Sequence, residues 1–174
     1  MTQHSPGTAV PGTAPSRITG PIVLATEFGA VSSAAERVAI RRAAEAGVPL
    51  LIVHAIDPGR LRLPGGLFSQ RVDQARAARQ AQAAPLMDRV RKAGVRPQLL
   101  IWDGDPATCV VEAARAESAS RIVVGSHGRS RLGRALVGSV SAAVADQADC
   151  PVDVVRGTGS TEEILTVSRV LEGT

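Results

Sequence analysis

The chain has 174 residues, of which 44% are hydrophobic and 21% are charged, a composition that is typical of one soluble globular domain. Two cysteines and three histidines exclude a disulfide framework and give little support to a metal site, and no apolar run approaches the roughly 18 residues of a membrane span. The charge is basic, with 20 Lys and Arg against 16 Asp and Glu, but these residues are scattered and aromatic side chains are few, so we expect neither a nucleic-acid nor a membrane partner.

The N-terminal residues are expected to lie outside the folded domain. Residues 1–17 are rich in Gly, Pro, Thr and Ser, which predicts a disordered tail. They lack the charged start and apolar stretch of a secretory signal, so we expect a cytoplasmic protein. The domain itself is predicted to span residues 18–157.

Five short apolar runs without polar alternation predict strands that are buried on both faces. They occur at residues 22–25, 50–53, 99–102, 122–124 and 152–155. Helical signals lie between them, as follows.

The first two helices lie between the first three strands. Ser33 and Glu36 have the spacing of a capping box, which predicts the start of the first helix, and Gly47 ends it. A long Ala-rich helix is predicted over residues 69–93. Pro85 lies inside it and predicts a kink or a break.

Asp105 followed by Pro106 predicts the start of a third helix, with a capping side chain and a proline in the first turn. A short fourth helix is predicted over residues 139–147. Strands that alternate with helices predict an α/β fold, a doubly wound parallel sheet with helices on both faces. Ligands of such sheets bind beyond the carboxyl ends of the strands. The loops after the first, second and fourth strands are therefore the candidate functional loops.

Two predictions compete for the tail formed by residues 158–174. Ser160 and Glu163 have capping-box spacing, and apolar residues follow at helical intervals, which favours a short amphipathic helix. The alternative is a disordered tail.

A segment rich in glycine joins the fourth strand to the fourth helix. Gly125 and Gly128 are followed, after nine residues, by Gly138 and Ser139. Glycines let backbone N–H groups approach a ligand closely, and the start of a helix attracts anions. The segment lacks the spacing of a P-loop, and no GxGxxG follows the first strand. We therefore expect a phosphate site of another kind, to which Ser139, the amides around it and Arg129 contribute.

The chain resembles the universal stress protein family over about residues 18–156. The likeness rests on the pattern G-x2-G-x9-G-S, which is typical of the family's ATP-binding subgroup, and on the segments ATEFG, LLIVHAID, GDP, RIVVGSHGRSRLG and DCPVDVVR. It implies a five-stranded parallel sheet of order 3-2-1-4-5, as in the adenine-nucleotide α-hydrolase-like fold. It also implies ATP, or ADP or AMP, as the ligand, with Mg²⁺ on the phosphates.

The same resemblance assigns residues to the nucleotide. It places the adenine near Ala25, Thr26, Glu27 and Ala55. It places the phosphates on backbone positions with two side chains nearby: Gly125, Gly128, Gly138, Ser139 and Val140, with His127 and Arg129 beside them. Solvated loop positions remain the alternative for these two side chains. His54, at the end of the second strand, is interpreted as a core histidine rather than a base.

Three residues depart from the family pattern. Glu27 stands where the family usually has Asp, and Gly29 replaces a frequent Ser, so the ribose or base contacts are expected to differ. Asp153 lies within the last strand, which is usually apolar and often forms the family's dimer edge. An inward-pointing charge on an edge strand opposes pairing. We therefore expect a homodimer through the last strand that Asp153 weakens.

These observations favour an ATP-binding module of stress response or regulation over a fast enzyme. No Ser–His–Asp order and no paired carboxylates can be placed around the proposed phosphates, which leaves at most slow ATP hydrolysis. Two alternatives stay open. One is a nucleotide-free dimeric scaffold or chaperone of the same fold, and the other is a nucleotide-dependent transferase.

Overall fold

The structure is a computed structural model that describes residues 19–58, 68–126, 138–158 and 161–168. Six strands and four α-helices lie in these ranges, with a short 3-10 turn at Ala30–Ser32. In chain order they are β1 (Ile22–Ala25), α1 (Ser33–Ala46), β2 (Leu50–Ile56), α2 (Phe68–Lys92), β3 (Pro97–Asp103), α3 (Pro106–Ala116), β4 (Arg121–Gly125), α4 (Ser139–Gln147), β5 (Val152–Thr158) and β6 (Thr161–Val167). The five predicted strands and four predicted helices are all present. The predicted N-terminal tail lies outside the described residues.

The strands form one sheet in the order β3-β2-β1-β4-β5-β6. The first five are parallel, and Val23 at the centre lies beside Leu51 of β2 and Ile122 of β4. Their order is the predicted one. The prediction of five strands in total is wrong, because β6 adds an antiparallel strand next to β5.

Helices cover both faces of the sheet, as predicted for a doubly wound fold. Successive side chains of a strand point to opposite faces. Leu24 therefore packs with Val38 of α1 and Val90 of α2, whereas its neighbour Val23 packs with the buried faces of α3 and α4. Burial of each such side chain contributes about 1.5–3 kcal/mol. The core is thus two apolar layers with the parallel strands between them.

The start of α1 differs from the prediction. The Ser33 hydroxyl lies in the first turn and donates to the Ala30 carbonyl at 2.8 Å, so it does not cap the helix. Glu36, the other half of the predicted capping box, is buried, and its carboxylate accepts a hydrogen bond from Thr26. The capping box is therefore wrong, because a partner distant in sequence takes up the Glu36 side chain. Gly47 ends the helix as predicted, with a φ of 66°.

α2 continues through Pro85 without interruption, so the predicted break is wrong. A proline removes one backbone hydrogen bond from a helix. Leu86 and Val90, which follow it, are buried in the core layer that α1 shares, and this packing stabilises the helix across the proline.

None of the helices that the structure describes combines the length and the apolar composition that a membrane-spanning helix needs.

α3 begins at Pro106 as predicted. The amide and the hydroxyl of Thr108 both donate to the Asp105 carboxylate at 2.9 Å. These hydrogen bonds lower the pKa of Asp105 below its usual value, so the residue caps the helix in its charged form. Because α3 follows β3, this capped first turn lies at the carboxyl edge of the sheet.

The C-terminal segment contains a strand in place of the predicted helix. β6 pairs with β5 through seven successive residue pairs. Ile164 packs against the core, whereas Leu165 is 52% exposed, which is the alternation of a strand. Hydrogen bonding to β5 overrides the local helical spacing. Both predictions for residues 158–174, a short helix and a disordered tail, are therefore wrong for residues 161–167.

Asp153 is an interior charge. Its strand, β5, is paired with β4 on one side and β6 on the other. The carboxylate is fully buried, forms ion pairs with Arg121 (2.6 Å) and Arg42 (2.8 Å), and accepts a hydrogen bond from the Thr166 hydroxyl at 2.6 Å. The prediction that Asp153 protects a free edge is wrong, because Asp153 joins α1, β4 and β6.

Candidate functional site

A pocket opens where β1, β2 and β4 end. Its walls come from these strands, the loop after β1 and the first turns of α3 and α4: Ala25, Thr26, Glu27, Val31, Ser32, Val53, His54, Ala55, Pro106, Val110, Val124, Gly125 and Val140. β1 lies between β2 and β4 in the sheet, so the chain winds outward in both directions from it. Ligands of doubly wound sheets bind at this switch point in strand order.

The structure brings most of the predicted site residues together here. Six of them line the pocket: Ala25, Thr26, Glu27, Ala55, Gly125 and Val140. Gly138 and Ser139 come directly before Val140 at the start of α4, outside the lining that the described residues form. The other three, His127, Gly128 and Arg129, lie outside the described residues. The four positions assigned to the base therefore share one pocket with two of the positions assigned to the phosphates, Gly125 and Val140.

The loop after β1 is held by hydrogen bonds at three successive amides. The Thr26 amide donates to the Val53 carbonyl at 3.2 Å, and the Glu27 amide donates to the Ser32 hydroxyl at 3.2 Å. The Phe28 amide donates to the Thr26 hydroxyl at 3.0 Å. Phe28 has a φ of 58°, a left-handed conformation that is uncommon for residues other than glycine. These bonds keep Thr26 and Glu27 at the pocket in spite of that cost.

His54 closes the pocket at the end of β2. Its Nδ1 lies 2.8 Å from the Thr26 carbonyl oxygen, which can only accept, so Nδ1 carries the proton. Burial lowers the pKa of His54 from its usual value of 6.5, and it outweighs the opposing effect of the hydrogen bond to Thr26. The Phe28 ring stacks on the imidazole with centroids 5.0 Å apart. His54 is therefore a neutral, packed histidine that fixes the loop, in agreement with its interpretation as a core residue.

Gly125 lies at the end of β4, where a side chain would meet little resistance from the protein. A Cβ at this position would have Ala35 and Val31 atoms as nearest neighbours, both at 3.8 Å, an ordinary contact distance. Packing within the described residues therefore does not require glycine here. Gly125 lines the pocket, and the absence of a Cβ there leaves room for the close approach of a ligand.

The start of α4 is suited to an anion. Gly138 is its N-cap residue and supplies no side chain to bind the first amides. The Ser141 hydroxyl donates its proton to the Gly138 carbonyl at 2.9 Å. The first N–H groups of a helix carry partial positive charge and bind phosphate well.

Several lining residues were not predicted from the sequence. Apart from His54, which was interpreted as a core residue, they are the apolar or small residues Val31, Ser32, Val53, Pro106, Val110 and Val124. A signal existed for two of them, because the Asp105 cap predicts the start of α3, and the first turn of a helix that follows a parallel strand lies at the carboxyl edge. The others carry no polar signature, and only their three-dimensional position reveals them.

Comparison with known proteins places this architecture in a family. A model of the universal stress protein family matches residues 19–156. A protein of Thermus aquaticus, described as a universal stress protein in a QAH/OAS sulfhydrylase 3′ region, is 34% identical over 140 residues, which cover 78% of this chain and 97% of that protein. A universal stress protein of Mycobacterium tuberculosis is 36% identical over 137 residues. The chain spans 45% of the length of that mycobacterial relative.

Solved structures of universal stress proteins share the fold. One, in complex with cAMP, is 25% identical with a TM-score of 0.63, and the match covers 80% of this chain and 98% of that one. Another, from Archaeoglobus fulgidus in complex with dAMP, is 26% identical with a TM-score of 0.58, and the match covers 80% of this chain and 99% of that one.

Proposed function

The chain belongs to the universal stress protein family, and from this premise we propose that it binds an adenine nucleotide, ATP above all, at the ends of β1, β2 and β4. One observation carries the proposal: the four residues assigned to the base line a single pocket at the switch point of the sheet, together with Gly125 and Val140, two of those assigned to the phosphates. The cAMP and dAMP complexes of related proteins support an adenosine phosphate as the ligand class.

The pocket walls suit a planar base. Val53, Val110 and Val124 are almost fully buried and line the pocket with apolar surface, which is typical of small-molecule sites. We place the adenine against these side chains, beside Ala25 and Ala55. Its faces are then covered by valines, and its polar edge meets the backbone at the strand ends.

Polar groups at the pocket mouth suit the rest of the nucleotide. Glu27 is exposed and adjoins the apolar walls, and a carboxylate accepts hydrogen bonds from ribose hydroxyls. We place the phosphates between Gly125 and the start of α4, where Gly138 and Ser139 precede Val140. His127, Gly128 and Arg129 are proposed to complete this half, with Mg²⁺ bound through the phosphates themselves.

The proposed role is regulatory, in a stress response, with at most slow ATP hydrolysis. Binding then changes the surface around the glycine segment, which a partner protein reads. A nucleotide-dependent transferase is the less favoured alternative, since it needs an acceptor site as well. In the part of the chain that the structure describes, no three His, Cys, Asp or Glu side chains converge as a metal site.

Calorimetric titration with ATP·Mg²⁺ tests the proposal, with Gly125→Ala as the informative variant. The added Cβ has room in the free protein, with no atom closer than 3.8 Å, so we expect normal folding. It narrows the pocket between β4 and Val31, and we expect affinity to fall about tenfold or more, since a difference of roughly 1.4 kcal/mol corresponds to tenfold.

Gly29→Ala is the matched control, because a Cβ at Gly29 meets nothing within 4 Å and the residue does not line the pocket. It should bind like the wild type. Absence of ATP binding by folded wild-type protein would reject the proposed function and favour the nucleotide-free scaffold. Equal binding by Gly125→Ala and the wild type would place the nucleotide elsewhere.

The dimer was predicted through the strand that contains Asp153. That strand is β5, which is paired with β4 on one side and β6 on the other, so the predicted dimer edge is wrong. We propose instead that two copies pair through β6, one of the two edge strands of the sheet that the structure describes. β6 contains neither Pro nor Lys, which commonly protect an edge, and its Leu165 side chain is 52% exposed. Its two charged residues, Glu162 and Glu163, form ion pairs with arginines of α1 and β5 in the same chain. Light scattering should give twice the monomer mass, and Leu165→Lys should reduce it; a monomer at all concentrations would contradict this pairing.

A further inference from the structure

Glu36 is a buried acidic residue on an otherwise apolar face of α1, so packing alone does not explain a glutamate at this position. It is 5% exposed on the face of α1 where Ala35, Val38 and Ala39 are fully buried. A charged carboxylate in such a place is costly unless it is paired and hydrogen-bonded. Glu36 meets both conditions, because Thr26 donates to its Oε1 at 3.0 Å and Arg89 of α2 donates to its Oε2.

The Glu36 carboxylate determines how the Thr26 hydroxyl is used. A carboxylate only accepts, so the single hydroxyl proton of Thr26 is directed to Glu36. The oxygen lone pairs of Thr26 are then free to accept from the Phe28 amide, which lies 3.0 Å away. Phe28 has the left-handed φ of 58°. The bend after Thr26 is therefore held by a hydroxyl that Glu36 orients.

The Thr26 backbone is fixed from the other side. Its carbonyl accepts from His54 Nδ1 at 2.8 Å, and its amide donates to the Val53 carbonyl at 3.2 Å. Every polar group of Thr26 thus has a partner, and the partners come from β2, α1 and the loop itself. Thr26 and Glu27 line the pocket, whereas Glu36 and Arg89 do not.

We propose that Glu36 and Arg89 are positioning residues for the nucleotide site: through the Thr26 hydroxyl they hold the loop after β1 in the conformation that lines the pocket. This inference rests on the proposed function. It adds that affinity for the nucleotide depends on an ion pair between α1 and α2 that lies behind the loop. Arg89 acts from the outer layer, since 53% of its side chain is exposed.

Titration of Glu36 and Arg89 variants with ATP·Mg²⁺ tests the inference. Glu36→Leu fills the space without an acceptor for Thr26, and we expect its affinity to fall about tenfold. Glu36→Gln keeps an acceptor oxygen for Thr26 at the same length but loses the ion pair with Arg89, so we expect an intermediate loss of about threefold. Arg89→Gln leaves Glu36 without its cation, so we expect a loss of about threefold or more.

Arg91→Gln is the matched control on the same helix. Arg91 also forms an ion pair, with Asp88 at 2.8 Å, but both side chains are more than half exposed. It should bind ATP·Mg²⁺ like the wild type. All dissociation constants are measured at a temperature well below the thermal unfolding midpoint of each variant, so that a lower stability of the fold does not change them.

Hydrogen exchange of the Phe28 amide, measured by NMR without nucleotide, gives a second readout that separates the two proposals. We expect faster exchange in Glu36→Leu and unchanged exchange in Arg91→Gln. Wild-type affinity in both Glu36→Leu and Arg89→Gln would overturn the inference and leave the proposed function intact. If the wild type binds no ATP, the proposed function fails, and the Phe28 amide still decides: unchanged exchange in Glu36→Leu overturns the loop-holding role, and faster exchange supports it.

Discussion

Two buried carboxylates are in contact with α1 or belong to it, and both are neutralised in the same manner: Glu36 lies in its first turn, and Asp153 of β5 is paired with Arg42 near its end. Each accepts a hydrogen bond from a threonine hydroxyl and is paired with arginine: Thr26 and Arg89 for Glu36, and Thr166, Arg42 and Arg121 for Asp153. The difference lies in what the threonine belongs to. Thr26 lines the candidate pocket, whereas Thr166 lies in the strand added next to β5. The same chemistry therefore shapes a binding loop in one place and secures the sheet in the other.

The largest expected effect is on the Asp153 side of this comparison. Asp153→Asn leaves Arg42 and Arg121 next to a buried neutral group, and breaking a buried pair typically costs about 3–5 kcal/mol. Both arginines keep some exposure, so we expect a loss near 3 kcal/mol in the free energy of urea unfolding. Affinity for ATP·Mg²⁺ should stay unchanged under folding conditions. A loss of unfolding free energy below about 1 kcal/mol, or a clear fall in affinity for ATP·Mg²⁺, would contradict the assignment of Asp153 to the stability of the sheet and of Glu36 to the binding loop.

A smaller effect is expected on the pocket side, from the titration of His54. Burial lowers the pKa of His54 in the folded chain below the 6.5 of the exposed residue. The unfolded chain therefore binds the proton more readily, so the contribution of His54 to stability is complete above pH 6.5 and decreases as the pH falls below it. Urea unfolding between pH 7.5 and 5 should show this decrease.

His54→Asn provides the control for that experiment, because an amide can still donate to the Thr26 carbonyl and does not titrate. The variant should lose less stability than the wild type over the same range. Equal losses of unfolding free energy in the two proteins would contradict this prediction. They would mean that carboxylates alone cause the dependence on acid and that protonation of His54 does not affect stability.

The sequence predicted the layered architecture because its signals are local and repeated. Apolar runs without alternation locate the first five strands, and the Asp105 cap and Gly47 locate helix ends. Four expectations failed where a distant contact overrides a local pattern. Glu36 resembled half of a capping box, Pro85 a helix break, Asp153 a guard on an open edge, and residues 161–167 a helix.

The part of the candidate site that is formed by the loops after the predicted strands could be predicted from the sequence. Six predicted residues line one pocket, because parallel strands deliver their carboxyl ends to one edge of the sheet. Apolar wall residues outside α3, such as Val31, carry no chemical signature in sequence. The network behind the pocket was also hidden, since Thr26 and Arg89 are 63 positions apart in the chain and meet only through Glu36.

Amide chemical-shift mapping by NMR, with ATP·Mg²⁺ added to the full chain, tests the central claim most directly. We expect the largest shifts at Glu27, Ala55, Gly125 and Val140, around the ends of β1, β2 and β4. Absence of shifts would contradict the proposed site. So would shifts centred on the opposite ends of the parallel strands, near Arg115 at the end of α3 and Cys150 just before β5.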